Sequence, residues 1–184
     1  MARAGLIVTI SQIGNDVVAT GSGSLNLTGL DFINTNASSS AFIRPNTGAG
    51  TSGTVLFGAT NTYRRYGNFG QVAGPTVFGT GVITTVATSS VGDTVGVRGQ
   101  VSTGIFVSQT SLANLNNLSF TTTWANNTIA GLGITPGTYT WNWGAGPTAD
   151  SFTLTTITAV PEPSSLALLG FGFATLLGYR RRRQ

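Results

Sequence analysis

The chain of 184 residues contains no cysteine and no histidine. Without thiols it has no disulfide, no thiolate ligand and no cysteine nucleophile. Without imidazole it lacks the commonest general base and metal ligand. Lysine is missing too, so all nine basic residues are arginine, against four aspartates and a single glutamate. Asp16, Asp31, Asp93 and Asp150 stand apart in sequence with no D-x-D spacing, which leaves a calcium loop without support. No metal and no cofactor is expected. A glycosidase needs two carboxyl groups brought together by folding, and so few acids leave glycoside hydrolysis a remote alternative to a chain with no enzymatic activity.

The net charge of +4 is misleading, because four of the nine arginines are Arg180, Arg181, Arg182 and Arg183. Before Val160 there are Arg3, Arg44, Arg64, Arg65 and Arg98 against the four aspartates, so this part is close to neutral. Nucleic acid binding therefore has no electrostatic basis.

What the chain has in abundance is glycine, 26 residues of it, among threonine, serine, asparagine and valine. That composition favours short strands joined by tight turns. Residues 4–11 and 16–24 flank Gly14-Asn15, a pair that supplies positive φ for a two-residue hairpin turn. Further strands are expected over 54–57, 81–87, 94–98, 104–109, 118–123, 138–143 and 151–158. Residues 35–53, rich in glycine and serine, read as a long loop. Leu112 and Leu115, three apart, allow one helical turn within 111–117. Residues 1–159 suit one domain. The strand spacing predicts an all-β fold, a single β-sandwich or jelly-roll-like domain, with a barrel or solenoid second; no fixed repeat period supports a solenoid.

Residues 160–184 differ from everything before them. Pro161 and Pro163 keep the segment around Glu162 extended. From 164 to 179 there is no charge, and a helix over that run spans roughly 24 Å, which arginine side chains can extend by snorkelling toward the ~30 Å of a bilayer core. Gly170, Gly172, Ala174 and Gly178 suit a membrane helix better than a water-soluble one, although a buried core helix with a basic end is the plain alternative. Arg180 to Arg183 form a cytoplasmic stop, because each guanidinium costs about 2.5–3.5 kcal/mol at mid-membrane even on the lenient scale. The expected order is a processing segment over 160–163, one C-terminal transmembrane helix over 164–179 and the arginine stop over 180–183, with the preceding domain on the exported side.

Val160-Pro161-Glu162-Pro163, an apolar helix and Arg180-Arg181-Arg182-Arg183 at the chain end together resemble the PEP-CTERM sorting signal of exported bacterial proteins. The same tail is also catalogued under an ice-binding C-terminal heading, a name that carries no ice-binding activity to this chain. The resemblance implies a Gram-negative source, secretory export, transient membrane anchoring through the helix, and an exosortase partner that cuts near Val160-Pro161-Glu162-Pro163. It also implies a place at the cell surface or in extracellular, biofilm-forming material. An exported chain is expected to begin with an apolar signal segment. Residues 1–5 have none and residues 6–10 read as a strand, so a segment upstream of Met1 is expected.

Two features before the tail invite a ligand. In a strand, Tyr139, Trp141 and Trp143 share one face, as the core side of a sandwich or as a platform for stacking sugar rings; the core is the first reading. Tyr63-Arg64-Arg65-Tyr66 concentrates charge, as a solvated loop first and as a contact for acidic polysaccharide second. The expected protein is an exported surface or matrix protein with a structural or adhesive role in polysaccharide material. The alternative is a glycan-binding module using Tyr139, Trp141 and Trp143, with Arg64 and Arg65 in support.

Overall fold

About half of the described residues lie in strands, and alternating apolar and polar positions mark several of them. The computed structural model describes residues 5–48, 52–100 and 103–157, and among these the all-β expectation holds: fourteen strands form two seven-stranded sheets. The first sheet contains β1 (Leu6–Ile13), β2 (Asp16–Gly23), β7 (Val72–Ala73), β9 (Ser89–Gly92), β12 (Leu118–Trp124), β13 (Gly137–Trp143) and β14 (Asp150–Ile157), in the order β7-β13-β14-β1-β2-β12-β9. The second contains β3 (Phe32–Ser39), β4 (Phe42–Arg44), β5 (Gly53–Phe57), β6 (Asn61–Tyr66), β8 (Thr85–Val86), β10 (Val95–Gly99) and β11 (Gly104–Ser108), in the order β3-β6-β11-β10-β5-β4-β8. β1 pairs antiparallel with β2 and parallel with β14, from Leu6 opposite Phe152 to Ser11 opposite Ile157.

The two sheets share one core. Leu6, Val8 and Ile10 of β1, Phe152 and Leu154 of β14, and Leu118, Phe120 and Trp124 of β12 point inward from the first sheet. Val55 and Phe57, Val95 and Val97, and Ile105 and Val107 meet them from the second. Phe57 stacks on Phe120 across the gap, with ring centroids 4.9 Å apart, and meets Trp124 edge-on at 6.3 Å. Gly21 makes room for this stack: a Cβ there would lie 2.3 Å from Cζ of Phe120.

The outward faces differ. On the first sheet the register aligns Thr138, Thr155, Thr9, Thr20 and Thr121 in one row across five strands. A neighbouring row holds Thr140, Thr153, Ile7, Ser22 and Ser119. Neither row carries charge. The outward face of the second sheet carries arginines.

Several sequence expectations need correction. The hairpin of β1 and β2 turns at Gly14-Asn15, but only Gly14 has positive φ (+58°), the pattern of a type II′ turn rather than one with two left-handed residues. Residues 35–53 are not one long loop, because β3 and β4 occupy much of that stretch and β5 begins at Gly53. The strand expected over 81–87 shrinks to β8. Tyr63 to Tyr66 belong to β6, a paired and half-buried strand, not a solvated loop. Ser111–Ala113 is a single 3₁₀ turn, which suits the three-residue spacing of Leu112 and Leu115. No helix among the described residues is long and apolar enough to cross a membrane. The helix expected over 164–179 and the boundary between 159 and 160 lie outside the described residues.

Gly21→Ala is expected to lower stability by about 1–3 kcal/mol through overpacking against Phe120, read as a lower urea midpoint at unchanged slope. Gly14→Ala, in open space, is expected to lose only about 1 kcal/mol, from its left-handed backbone.

Candidate functional site

The aromatic ladder of β13 faces the core. Trp141 is fully buried, Trp143 is 3% exposed and Tyr139 is half-buried, so neither indole offers a face on which a sugar could stack. Burial is possible because each polar tip has a partner. The Trp141 indole N–H donates to the Pro75 carbonyl at 2.8 Å, that of Trp143 to the Asn26 carbonyl at 2.7 Å, and the Tyr139 hydroxyl to the Thr135 carbonyl at 2.7 Å. Trp124 on β12 does the same with the Thr85 carbonyl. These rings staple the loops at 26 and 75 and the short strand β8 to the core.

The aspartates are also structural tethers. Asp93 accepts from the Ser111 hydroxyl at 2.6 Å and the Ser119 backbone N–H at 2.9 Å. Asp16 accepts from the Asn126 N–H at 2.9 Å, holding a residue with φ of +54°. Asp150, 4% exposed at the start of β14, accepts from the N–H groups of Asn26 and Ser151. Burial raises its pKa above the usual carboxylate range, and the two N–H groups oppose that rise. Asp31 is exposed just before β3.

Charge and rings converge elsewhere, on the outward face of the second sheet. A cleft of about 360 Å³ is lined by Arg44, Arg65 and Arg98, by Tyr63, Phe42 and Phe106, and by Asn34, Asn36, Thr54 and Thr84. None of these residues is acidic. Strand alternation explains the set. On β6, Tyr63 and Arg65 point into the cleft, while Arg64 and Tyr66 point to the other side. Arg64 lies over the Phe32 ring there, at 5.5 Å. Arg44 of β4 and Arg98 of β10 both sit opposite Thr54 of β5, one on each side. Arg65 sits opposite Phe106 of β11. Phe106 is nearly buried and packs edge-on against Tyr63 at 5.2 Å, and with fully buried Leu56 it belongs to the outward side of this sheet.

The electrostatics follow from that geometry. Burial holds the Arg65 guanidinium below its ordinary pKa range, and the nearby Arg98 charge pushes the same way. Burial raises the Tyr63 phenol, with Arg98 opposing. Gly104 permits the approach, since a Cβ there would meet Nε of Arg65 at 2.6 Å. The Nε atoms of Arg44 and Arg98 and the Nδ2 atom of Asn36 are buried without a hydrogen-bond partner. The gathered guanidinium groups, with no carboxylate along the cleft, suit an anion.

Of the residues singled out by sequence, Arg65 lies in this cleft and Arg64 does not. Tyr139, Trp141 and Trp143 lie in the core. Val160, Pro161, Glu162, Pro163 and Arg180 to Arg183 lie outside the described residues. Arg44 and Arg98 escaped sequence reading because isolated arginines carry no local motif; their only signal is that each alternates with buried apolar neighbours on a strand.

Trp141→Ala is expected to cost about 3–5 kcal/mol in urea unfolding. For Asp150 the folded pKa exceeds the unfolded one, so the folded state holds the extra proton and stability falls as pH rises from the unfolded pKa through the folded one. The stability advantage of the parent chain over Asp150→Asn is therefore expected to be larger near about pH 4 than near about pH 7, measured by thermal unfolding. An unchanged difference would refute it.

No curated protein and no solved structure matches the chain. Residues 159–183 match the model of the PEP-CTERM protein-sorting motif. The chain thus carries the PEP-CTERM sorting signal, recognised by exosortases, and is an exosortase-processed exported protein of the cell surface or extracellular space.

Proposed function

We propose that the β domain is a structural or adhesive component of extracellular polysaccharide material and has no catalytic activity. The observation that supports this reading best is the use of the chain's carboxylates. Asp16, Asp93 and Asp150 each hold backbone or hydroxyl groups of distant segments, so their oxygens serve the fold. The open arginine cleft can hold a polymer, and no carboxylate lines it to act as a general acid or base. In the same reading, the C-terminal helix over 164–179 anchors the chain in the inner membrane with Arg180 to Arg183 cytoplasmic, until the exosortase cuts near Val160-Pro161-Glu162-Pro163.

The sugar-stacking alternative through Tyr139, Trp141 and Trp143 loses its support to their burial. A polysaccharide contact through arginines keeps it.

Deleting the protein from its source cell is expected to reduce the polysaccharide retained at the cell surface without changing its chain length. Retention is measured by quantifying bound and shed polymer, and chain length by size-exclusion chromatography. Release of shortened sugars by the purified protein, abolished by Asp31→Asn or Asp93→Asn, would overturn the non-catalytic reading.

A further inference from the structure

We infer that the cleft on the outward face of the second sheet is a binding site for anionic polysaccharide, with Arg44, Arg65 and Arg98 taking acidic groups along the sugar chain. The inference rests on the adhesive reading for the source of the ligand and on the cleft for its charge. Three observations carry it. First, three arginines from three different strands, far apart in sequence, turn to one side of one sheet. Like charges brought together repel, and burial first and the Arg98 charge second disfavour the charged form of Arg65. No residue lining the cleft is acidic, so an anion entering it is favoured.

Second, the arginines are held rather than loose. Arg44, Arg65 and Arg98 are all half-buried, and the Nε atoms of Arg44 and Arg98 are closed off from water without a protein acceptor. Part of the ordering cost of a flexible side chain has already been met on folding, which favours bidentate contact with a carboxylate or sulfate. Third, the lining around them suits a sugar chain. Phe42 and Tyr63 supply half-buried rings, Asn34, Asn36, Thr54 and Thr84 supply groups that hydrogen-bond hydroxyls, and the cleft volume falls at the small end of ligand sites.

The spacing sets the reading frame. Arg44 and Arg98 flank Thr54 on strands two apart, so their backbones are separated by roughly 10 Å, about the length of two linked sugar rings. A polymer lying across the strands would offer alternate acidic groups to these two arginines. Arg65, in the next row and beside Arg98 over Gly104, would take a third. A uronate carboxylate and a sugar sulfate both present charged oxygens that accept from a guanidinium, so the shared chemistry is an acidic sugar polymer.

Isothermal titration of the full chain in detergent with three unbranched oligosaccharides of equal length, one of uronates, one sulfated and one neutral, tests the assignment. At least one acidic oligosaccharide is expected to bind saturably and to weaken as salt is raised, while the neutral one does not bind. Which acidic one binds identifies the source of the charge. Arg44→Met and Arg98→Met keep the aliphatic stems over the sheet, and each is expected to weaken binding about tenfold. Gly104→Val, which displaces the Arg65 side chain, is expected to weaken it as well. Arg64→Met, on the other side of β6, is expected to leave affinity unchanged. Thermal unfolding of each variant separates a lost site from a lost fold. Absence of binding to both acidic probes, equal binding of the neutral one, or full affinity in a folded Arg44→Met/Arg98→Met double variant overturns the site. Binding with these arginine dependences beside unaltered polysaccharide retention in cells overturns the adhesive reading and leaves the site standing.

Discussion

The contact between Phe57 and Phe120 fixes the distance and orientation of the two sheets, and everything on their outward faces inherits that arrangement. It is the centre of an aromatic seam. Trp124 meets Phe57 edge-on, and toward the other side of the core Phe78 and Phe152 meet Trp141 in the same way. Rings of this size bury much area per residue and prefer defined angles, so a chain without disulfides gains a unique packing from them. The polar tips of the tryptophans then tie loops to the seam, and the glycines at 21 and 74 leave the space those rings occupy.

How much of this was legible in the sequence depended on which physical signal wrote each element. β1, β2, β12, β13 and β14 bury one side, so their apolar residues alternate and the strands can be read directly. β3 is exposed along most of its length and its sequence, FINTNASS, shows no alternation that burial would impose. β6 hid for a different reason. Tyr63-Arg64-Arg65-Tyr66 looks like a hydrophilic cluster until the strand separates its odd and even members onto two sides, one pair entering a charged cleft and the other packing near the core. The cleft itself draws on positions from 34 to 106, and no local pattern announces a site made by six adjoining strands. The tail is the opposite case, since its ordered processing segment, apolar run and arginines are contiguous and owe nothing to the fold.

A chain so poor in charge separates its signs by role. The carboxylates of Asp16, Asp93 and Asp150 hold backbone groups, as Asp150 does beneath the loop at Asn26. Arg44, Arg65 and Arg98 gather on one outward face, while the two rows of threonine and serine on the opposite outward face, interrupted by Ile7, carry no charge. The two sides of the sandwich therefore meet their surroundings with different chemistry.

The parallel pairing of β1 with β14 has a mechanical consequence. β14 lies between β13 and β1, and both ladders run alongside it for most of its length. A pull on β14 along its axis from Ile157 cannot open these ladders one bond at a time, because the bonds lie across the direction of force and share the load together. The strand must slide past two neighbours at once, dragging Phe152 and Leu154 out of the core. Were a load applied between the outward face of the second sheet and the end of this central strand, it would be carried in shear.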